Sequence, residues 1–277
     1  MLKTRVITAV VLLAVLLPIL YFANYMAFSV VAMAFLGAAA WEAARLFQPP
    51  AYIALLRGFI VPMLFLVFFV APAVPPKLGM LFALCCAFWA AGFVPALKTG
   101  APPLASFGNQ LLSWTYLVSI LGCFAAIAVL FRHSPLYLLS VMVLVWIADI
   151  GAYFSGKAFG KRKLAPSISP GKSWEGAIGG GLAVLLLSAL AVAFGGPALM
   201  DTFGARLQAK WGWGAMFAIL LVITAASVVG DLFESMLKRR AGVKDSSNLL
   251  PGHGGVLDRI DALIPVLPLA ALIDAWL

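Results

Sequence analysis

The sequence is short of charge. Only 10% of its 277 residues are Asp, Glu, Lys or Arg, whereas a soluble globular domain has about 25%. Hydrophobic residues make up 64% of the chain, and the mean hydropathy is +1.07. So few polar side chains cannot cover a soluble surface, which excludes an ordinary soluble domain. The composition predicts an all-α polytopic integral membrane protein.

Cysteine is also scarce, and its spacing excludes two further kinds of site. The three cysteines are Cys85 and Cys86, which are adjacent, and Cys123, which lies in another apolar run. Such a pattern offers neither the spacing of metal ligands nor a disulfide framework. We expect all three to be core or lipid-facing residues.

Long apolar runs recur along the whole chain, separated by Pro, Gly or charged breaks. A helix needs about 20 apolar residues to cross the hydrocarbon of a bilayer. The runs predict about nine transmembrane helices, at 6–22, 24–40, 58–74, 78–97, 111–131, 136–154, 177–194, 214–231 and 258–277. The first run follows Lys3 and Arg5, as in a signal peptide, but a second span follows almost at once, so we expect a retained helix.

Basic residues are distributed unequally between the two sides that nine spans would create. Of the 19 Lys and Arg residues, fourteen fall on the side of the N-terminus, four on the other, and Arg57 at a span boundary. Because Lys and Arg accumulate in cytoplasmic loops, the N-terminus and the basic loops at 161–163 and 238–240 are predicted to be cytoplasmic. The net charge of +9 therefore requires no nucleic-acid partner.

Acidic residues number only ten, and Glu42 alone precedes Asp149. The polar function is therefore predicted to lie in a C-terminal catalytic region, 111–277. The N-terminal helices, 1–110, are expected to form a scaffold or a dimer surface.

Asp149 lies within the sixth predicted span. A charge in the middle of a membrane helix costs about 2.5–3.5 kcal/mol on insertion scales, so such a residue normally faces a partner or a watery cavity. Asp149 either lines a functional cavity or pairs with a nearby cation.

The loop after that span reads LAPSISPGKSWEGAIGGG. Its Gly171, Lys172 and Ser173 are similar to the end of a P-loop, but Pro166 replaces the required first glycine and a helix precedes the loop, so it is not one. We predict instead a flexible turn before a helix start, which forms an anion site with Lys172. The turn carries Ser169, Lys172 and Ser173, and Glu175 lies in the first turn of the helix that follows. Glycines 179–181 predict close helix packing.

Two pairs of carboxylates share a spacing of three residues. Asp231 and Glu234 lie at the end of the eighth predicted span, and Asp258 and Asp261 at the start of the ninth. Paired carboxylates on two helix ends are typical of a Mg²⁺ site that is shared with substrate phosphates.

Cations and glycines lie between the two acidic pairs. A purely topological reading, in which residues 238–240 anchor the chain at the membrane surface, explains only one or two of the cations. The Gly-rich turn brings backbone N–H groups close to phosphate oxygens, and the cations neutralise the rest. We expect His253 to bind phosphate rather than metal.

The stretch 235–262, SMLKRRAGVKDSSNLLPGHGGVLDRIDA, resembles the C-terminal signature of phosphatidate cytidylyltransferases, also called CDP-diacylglycerol synthases. SPGKSWEG and GDLFES are similar to two further motifs of that family, although Ser173 stands where Thr is frequent. The resemblance covers 146–262. It implies a bacterial inner-membrane enzyme that joins CTP to phosphatidic acid, releases pyrophosphate and requires Mg²⁺, and it leaves open a second, monovalent or divalent cation. Membrane lipids surround the enzyme, and a homodimer is expected from the family alone.

On this hypothesis Asp231, Glu234, Asp258 and Asp261 hold the metal. The residues expected to act in catalysis are Asp231, Asp258, Asp261, Lys238 and Arg259. The substrate-binding residues are expected to be Asp149, Ser169, Lys172, Ser173, Glu175, Arg239, Lys244, His253, Gly254 and Gly255. Two alternatives remain: a CTP-dependent enzyme acting on an isoprenoid lipid, such as a CDP-archaeol synthase or polyprenol kinase, and an ion-coupled transporter.

Overall fold

A computed structural model describes residues 7, 8, 10, 11, 14, 17–19, 21–70 and 78–277 of the chain, and most of them are helical. The helices are α1 (Tyr25–Leu46), α2 (Ala51–Phe65, followed by a π-helical turn Leu66–Val70), α3 (Gly79–Thr99, with a π-helical turn Trp89–Phe93), α4 (Phe107–His133), α5 (Pro135–Phe159), α6 (Trp174–Phe194), α7 (Phe203–Arg240), α8 (Leu257–Ile260) and α9 (Leu263–Asp274). Within the described ranges, seven helices, α1 to α7, are long and apolar enough to cross a membrane. The all-α polytopic membrane fold is therefore confirmed.

The predicted count of nine spans is not confirmed. The first predicted span, 6–22, falls partly outside the described residues and is not among the seven. The ninth, 258–277, consists of the four-residue α8 followed by the 12-residue α9. At a rise of 1.5 Å per residue α9 is about 18 Å long, which is too short to cross a bilayer by itself. Helix α9 packs against α3, α4 and α7, so its apolar residues fill the protein core.

Helices α2 and α7 depart furthest from the predicted bounds, and the second of them begins at Phe203, eleven residues before position 214. Helix α2 begins at Ala51 rather than at position 58, because Arg57 is accommodated within it: the guanidinium donates to Ser113 Oγ at 2.6 Å and lies 4.3 Å from the centre of the Trp114 ring. The predicted end of that span, 71–74, lies outside the described residues. Helix α7 bends at Gly212, whose φ is +80°, and runs nine residues beyond the predicted end at 231 because good helix formers continue there.

The loop after α5 is not the flexible turn that the sequence predicted. Strands β1 (Lys163–Ala165) and β2 (Ser169–Ser173) form an antiparallel hairpin in which Lys163 pairs with Ser173 and Ala165 with Ser169. Helix α6 begins directly after it, with Ser173 Oγ accepting the Gly176 N–H at 3.1 Å. This N-cap and the strand pairing fix Lys172 relative to α6.

Helices α5 and α6 pack closely through glycine, as the run at 179–181 predicted. A Cβ at Gly180 would lie 2.5 Å from the Ala148 carbonyl oxygen and 3.3 Å from Ala152 Cβ. Because real Cβ atoms do not approach so closely, only glycine fits at this position, and the small residue sets the distance between the two helices.

Gly180→Ala is therefore expected to destabilise the protein by about 1–3 kcal/mol, the usual cost of overpacking. Gly214→Ala is the matched control, because a Cβ there meets nothing within 4 Å and alanine favours a helix over glycine. Thermal unfolding in detergent should show a midpoint lowered by several degrees for Gly180→Ala and not for Gly214→Ala. Equal midpoints would contradict the packing.

Candidate active site

A cavity of about 670 Å³ opens between α5, the β-hairpin, α6, α7 and the segment 245–261. Its size lies within the range of ligand-binding pockets, about 300–1,000 Å³. The polar and charged residues that line it are Asp149, Tyr153, Lys157, Ser169, Lys172, Ser173, Thr224, Asp231, Lys238, Asp245, Asp258, Arg259 and Asp261. Four cations and five carboxylates thus share one space, in a chain of which only 10% of the residues are charged.

Nine of the predicted site residues meet in this cavity. They are Asp149, Ser169, Lys172, Ser173, Asp231, Lys238, Asp258, Arg259 and Asp261. Four polar or charged lining residues were not predicted, namely Tyr153, Lys157, Thr224 and Asp245. Lys157 and Thr224 lie on the same helices as predicted residues, so their helical spacing from Asp149 and Asp231 was the available signal.

The cavity extends into the apolar part of the molecule. Asp149 lies ten residues before the end of α5, which is about 15 Å along the helix axis. Asp149 is exposed to the cavity, in agreement with the prediction that a carboxylate at this depth faces a watery space.

Lys172 and Asp231 form an ion pair across the cavity, between the Lys172 ammonium and Asp231 Oδ2. The two side chains retain 27% and 30% exposure, so both are accessible from the cavity. The pair connects the hairpin to α7, and it shows that a cation and a carboxylate predicted for the site face one another.

Lys238 bridges two carboxylates from different parts of the chain. Its Nζ lies 2.7 Å from Glu234 Oε2 and 2.6 Å from Asp258 Oδ1. Glu234 is fully buried, does not line the cavity, and keeps its Oε1 without a hydrogen-bond partner among the described residues. A buried carboxylate is expensive unless it is paired, so Lys238 compensates Glu234 and orients Asp258.

Asp258 is the most firmly held carboxylate of the site. Its Oδ2 accepts the N–H groups of Ser246 and Gly255 at 2.9 and 2.8 Å and the Ser246 hydroxyl at 3.0 Å. Burial opposes ionisation of Asp258, but the hydrogen bond from Lys238 and those from the two backbone amides outweigh it and lower the pKa. Asp258 is therefore an ionised, fixed group at the cavity wall.

The pKa of Asp261 is shifted in the opposite direction to that of Asp258. Burial and then the negative charge of Asp231 raise the pKa of Asp261 to about 7. The two acidic segments approach closely because Gly230 packs against the Asp261 carbonyl oxygen and lies in contact with Pro265. Two carboxylates that repel one another in a partly buried space favour a cation between them.

The carboxylates do not by themselves form a protein-only metal cage. Within residues 21–70 and 78–277, no three acidic, histidine or cysteine side chains come close enough together to hold an ion. Mg²⁺ commonly takes only one or two carboxylates and completes its shell with water and substrate phosphates. The oxygen donors of Asp231 and Asp261 fit that mode of binding.

Several predicted residues lie outside the cavity wall and contact the protein instead. Glu175 accepts the N–H groups of Lys161 and Arg162, both at 3.1 Å, and the Arg162 Nε–H at 3.2 Å. Arg239 Nε donates to the Ile168 carbonyl oxygen at 3.4 Å. These contacts fix the basic loop and the hairpin turn, whereas a direct role of either residue in substrate binding stays a prediction.

The glycine-rich turn also contacts mainly the protein. The N–H of His253 donates to the Leu250 carbonyl oxygen at 2.8 Å, and the His253 carbonyl oxygen accepts from Arg259 Nη2 at 2.6 Å. Gly254 has a φ of +85°, which favours glycine. The N–H of Gly255 donates to Asp258 Oδ2. Lys244 is exposed beside the cavity. Phosphate binding by this turn stays a prediction.

Comparison with known proteins gives a consistent result. The family model described as the cytidylyltransferase family matches residues 3–276. A phosphatidate cytidylyltransferase of Haemophilus influenzae is 42% identical over 97% of this chain and 96% of its own length. One of Pseudomonas aeruginosa is 41% identical over 98% and 96%. One of Bacillus subtilis is 38% identical over 58% of this chain and 55% of its own length.

Proposed function

The chain belongs to the cytidylyltransferase family, and we propose that it joins CTP to phosphatidate, forming CDP-diacylglycerol and releasing pyrophosphate. It is a multi-pass membrane enzyme of phospholipid biosynthesis. The observation that carries the proposal is the convergence of Lys172, Asp231, Lys238, Asp258 and Asp261 in one cavity that reaches into the membrane-embedded part of the fold.

The reaction is a phosphoryl-type transfer that needs no covalent enzyme intermediate. An oxygen of the phosphatidate phosphate attacks the α-phosphorus of CTP. The bond from that phosphorus to the oxygen bridging to the β-phosphate breaks, and the electron pair leaves with pyrophosphate. Because both reactants are polyanions, the enzyme must mainly position them and neutralise charge.

The cations of the cavity suit that task. Lys157, Lys172, Lys238 and Arg259 line it, and their ammonium and guanidinium groups donate to phosphate oxygens. We assign Lys238 and Arg259 to the reacting phosphates because both lie beside Asp258. Lys238 binds the Asp258 carboxylate, and Arg259 follows Asp258 in the sequence. Lys172 exchanges its contact with Asp231 for a substrate phosphate when the substrates bind.

Asp231 and Asp261, with Asp258 beside them, would hold Mg²⁺ together with the substrate phosphates, and Glu234 would support the site from behind Lys238. When bound, the ion neutralises phosphate charge and stabilises the leaving pyrophosphate. The raised pKa of Asp261 supports a site that gains stability from a cation.

The depth of the cavity favours a lipid as the acceptor. The phosphate of a membrane lipid lies near the interface while its acyl chains stay in the bilayer, and Asp149 and Thr224 mark the cavity wall at membrane depth. Phosphatidate would therefore enter sideways, between α5, α6 and α7, while CTP enters from the polar side.

We propose that the active-site loops lie on the cytoplasmic face of the bacterial inner membrane. The basic residues at 161–163 and 238–240 lie at this end of α5 and α7, and such clusters remain on the cytoplasmic side during insertion. A basic face also attracts the anionic head group of phosphatidate.

The acceptor is tested by offering the purified protein labelled CTP and Mg²⁺ with phosphatidate or, in parallel, with an isoprenoid ether-lipid phosphate or a polyprenol. Mass spectrometry of the lipid fraction should find CDP-diacylglycerol from phosphatidate and little product from the isoprenoids. A nucleotide or phosphate attached only to an isoprenoid would assign the same site to a different CTP-dependent lipid enzyme.

A further inference from the structure

Glu42 is a fully buried carboxylate in α1, far from the active-site motifs in sequence. It belongs to the N-terminal helices for which the sequence indicated only a scaffold. Its side chain nevertheless contacts the segment 246–257, more than 200 residues later in the chain. The contact joins the two halves of the molecule directly at the site.

Both carboxylate oxygens of Glu42 accept two hydrogen bonds. Oε1 accepts the Val256 N–H at 3.1 Å and the Ser247 hydroxyl. Oε2 accepts the Leu257 N–H at 2.6 Å and lies 3.3 Å from the Ser246 hydroxyl, whose single proton it shares with Asp258 Oδ2. All four donors belong to the loop that carries Asp258. A buried carboxylate is tolerated only when its acceptors are satisfied, so the burial of Glu42 and this loop conformation depend on each other.

A short chain of contacts connects Glu42 to the cavity. Ser246 Oγ lies within hydrogen-bonding distance of both Glu42 Oε2, at 3.3 Å, and Asp258 Oδ2, at 3.0 Å. Asp258 in turn binds Lys238. Glu42 itself does not line the cavity, so it acts on the reaction only through these neighbours.

Gly255 allows the 246–257 loop to pack closely against the Glu42 carboxylate. A Cβ at this position would lie 2.6 Å from Glu42 Oε1 and would overlap Ser246 Oγ. Only glycine therefore lets the turn approach the carboxylate. This packing requirement explains the glycine whether or not its N–H also meets a substrate phosphate.

We propose that Glu42 is a positioning residue for cytidylyl transfer: it holds the 246–257 loop so that Asp258 and Lys238 keep the geometry that the reaction needs. The inference rests on the proposed function for what the site does, but the contacts that carry it are independent of the substrate. It gives α1 a part in the active site beyond that of a scaffold.

The test compares Glu42→Gln with the wild-type protein. Glutamine has the same shape but presents an NH₂ group to one of the two backbone N–H donors, and this pair cannot form a hydrogen bond. We expect kcat to fall about 10–100-fold, the usual cost of losing a group that orients a metal ligand. The Mg²⁺ concentration that gives half of the maximal thermal shift should rise severalfold, with the KM for phosphatidate nearly unchanged.

Arg45→Gln is the matched control, because it removes one charge from the same helix at an exposed position. It should leave kcat and the Mg²⁺ midpoint within about twofold of the wild-type values, as is usual for surface substitutions. If Glu42→Gln behaves like Arg45→Gln, the proposal is overturned.

Ser246→Ala provides a second test if Glu42→Gln does not fold. It deletes the hydroxyl shared by Glu42 and Asp258. The three other contacts of Glu42, from the Val256 and Leu257 N–H groups and the Ser247 hydroxyl, stay in place. A raised Mg²⁺ midpoint supports the proposal, and an unchanged one contradicts it. The thermal shift with Mg²⁺ alone needs no lipid turnover, so a wrong acceptor in the proposed reaction would not affect this result.

Discussion

Replacing Lys238 with methionine is expected to slow CDP-diacylglycerol formation by about 10²–10³-fold, the usual effect of removing one group that stabilises transferring charge. The same change should destabilise the fold by about 3–5 kcal/mol, because a buried carboxylate that loses its ion-pair partner is left uncompensated. Glu234 is that carboxylate: it is fully buried and Lys238 is its ion-pair partner. Turnover and thermal unfolding of the purified protein measure the two effects.

A second substitution separates the two roles of Lys238. In the double variant Lys238→Met/Glu234→Gln the Glu234 position carries no charge and Asp258 keeps its hydrogen bonds from the Ser246 and Gly255 N–H groups, so much of the lost stability should return while turnover stays low. Arg240→Met is the neighbouring control, because Arg240 donates to the Pro102 carbonyl oxygen and does not line the cavity. A Lys238→Met protein with wild-type turnover would contradict the catalytic assignment.

Asp231→Asn is expected to lower turnover by about a thousandfold, which corresponds to about 4 kcal/mol of lost transition-state stabilisation. The substitution keeps the shape of the side chain but removes a charge that would bind Mg²⁺ and that holds Lys172 between turnovers. The thermal shift caused by Mg²⁺ should shrink in parallel, which a defect confined to lipid binding would not produce.

Asp201→Asn is the matched control for Asp231→Asn. Asp201 is also a partly exposed, ion-paired carboxylate, bound to His133 and Arg206 at 3.1 and 3.0 Å, but it lies at the opposite end of α5 from the cavity. It should keep near-normal turnover and the full Mg²⁺ shift. If Asp231→Asn instead retains both, Asp231 is not a metal ligand.

The sequence was sufficient for the membrane helices because their signal is local. Lengths and hydropathy predicted α1, α3, α4, α5 and α6 with each bound within six residues of the observed one. Hydropathy failed as a guide to membrane spans where an apolar helix is enclosed by protein and where a helix contains a charged residue. Helix α9 is apolar because it is enclosed by other helices, and α2 continues through Arg57 because Ser113 and Trp114 accommodate the charge.

The candidate site was predictable to the extent that its residues carry charge in an apolar chain. A carboxylate such as Asp149 or Asp231 is costly near the hydrocarbon, so its presence alone indicates a cavity or a partner. The direction of each side chain was not predictable. Glu175 and Arg239 belong to the same motifs, yet they bind the protein backbone beside the cavity.

Glu42 shows the other limit of sequence reasoning. One acidic residue in an apolar helix has no neighbours in the sequence that indicate its role, and its partners lie 204 to 215 residues away. Only the folded chain brings it to the 246–257 loop. The separation of the protein into an N-terminal scaffold and a C-terminal catalytic region therefore omits a contact that we expect to control the geometry of the site.

The most direct measurement is pyrophosphate release by the purified protein in detergent, with CTP, Mg²⁺ and phosphatidate each left out in turn and CTP replaced by ATP, GTP or UTP. We predict that release requires all three components, prefers CTP, and is matched by the formation of CDP-diacylglycerol. Release without phosphatidate, or no release with the complete mixture while an isoprenoid lipid is converted, would contradict the proposed reaction.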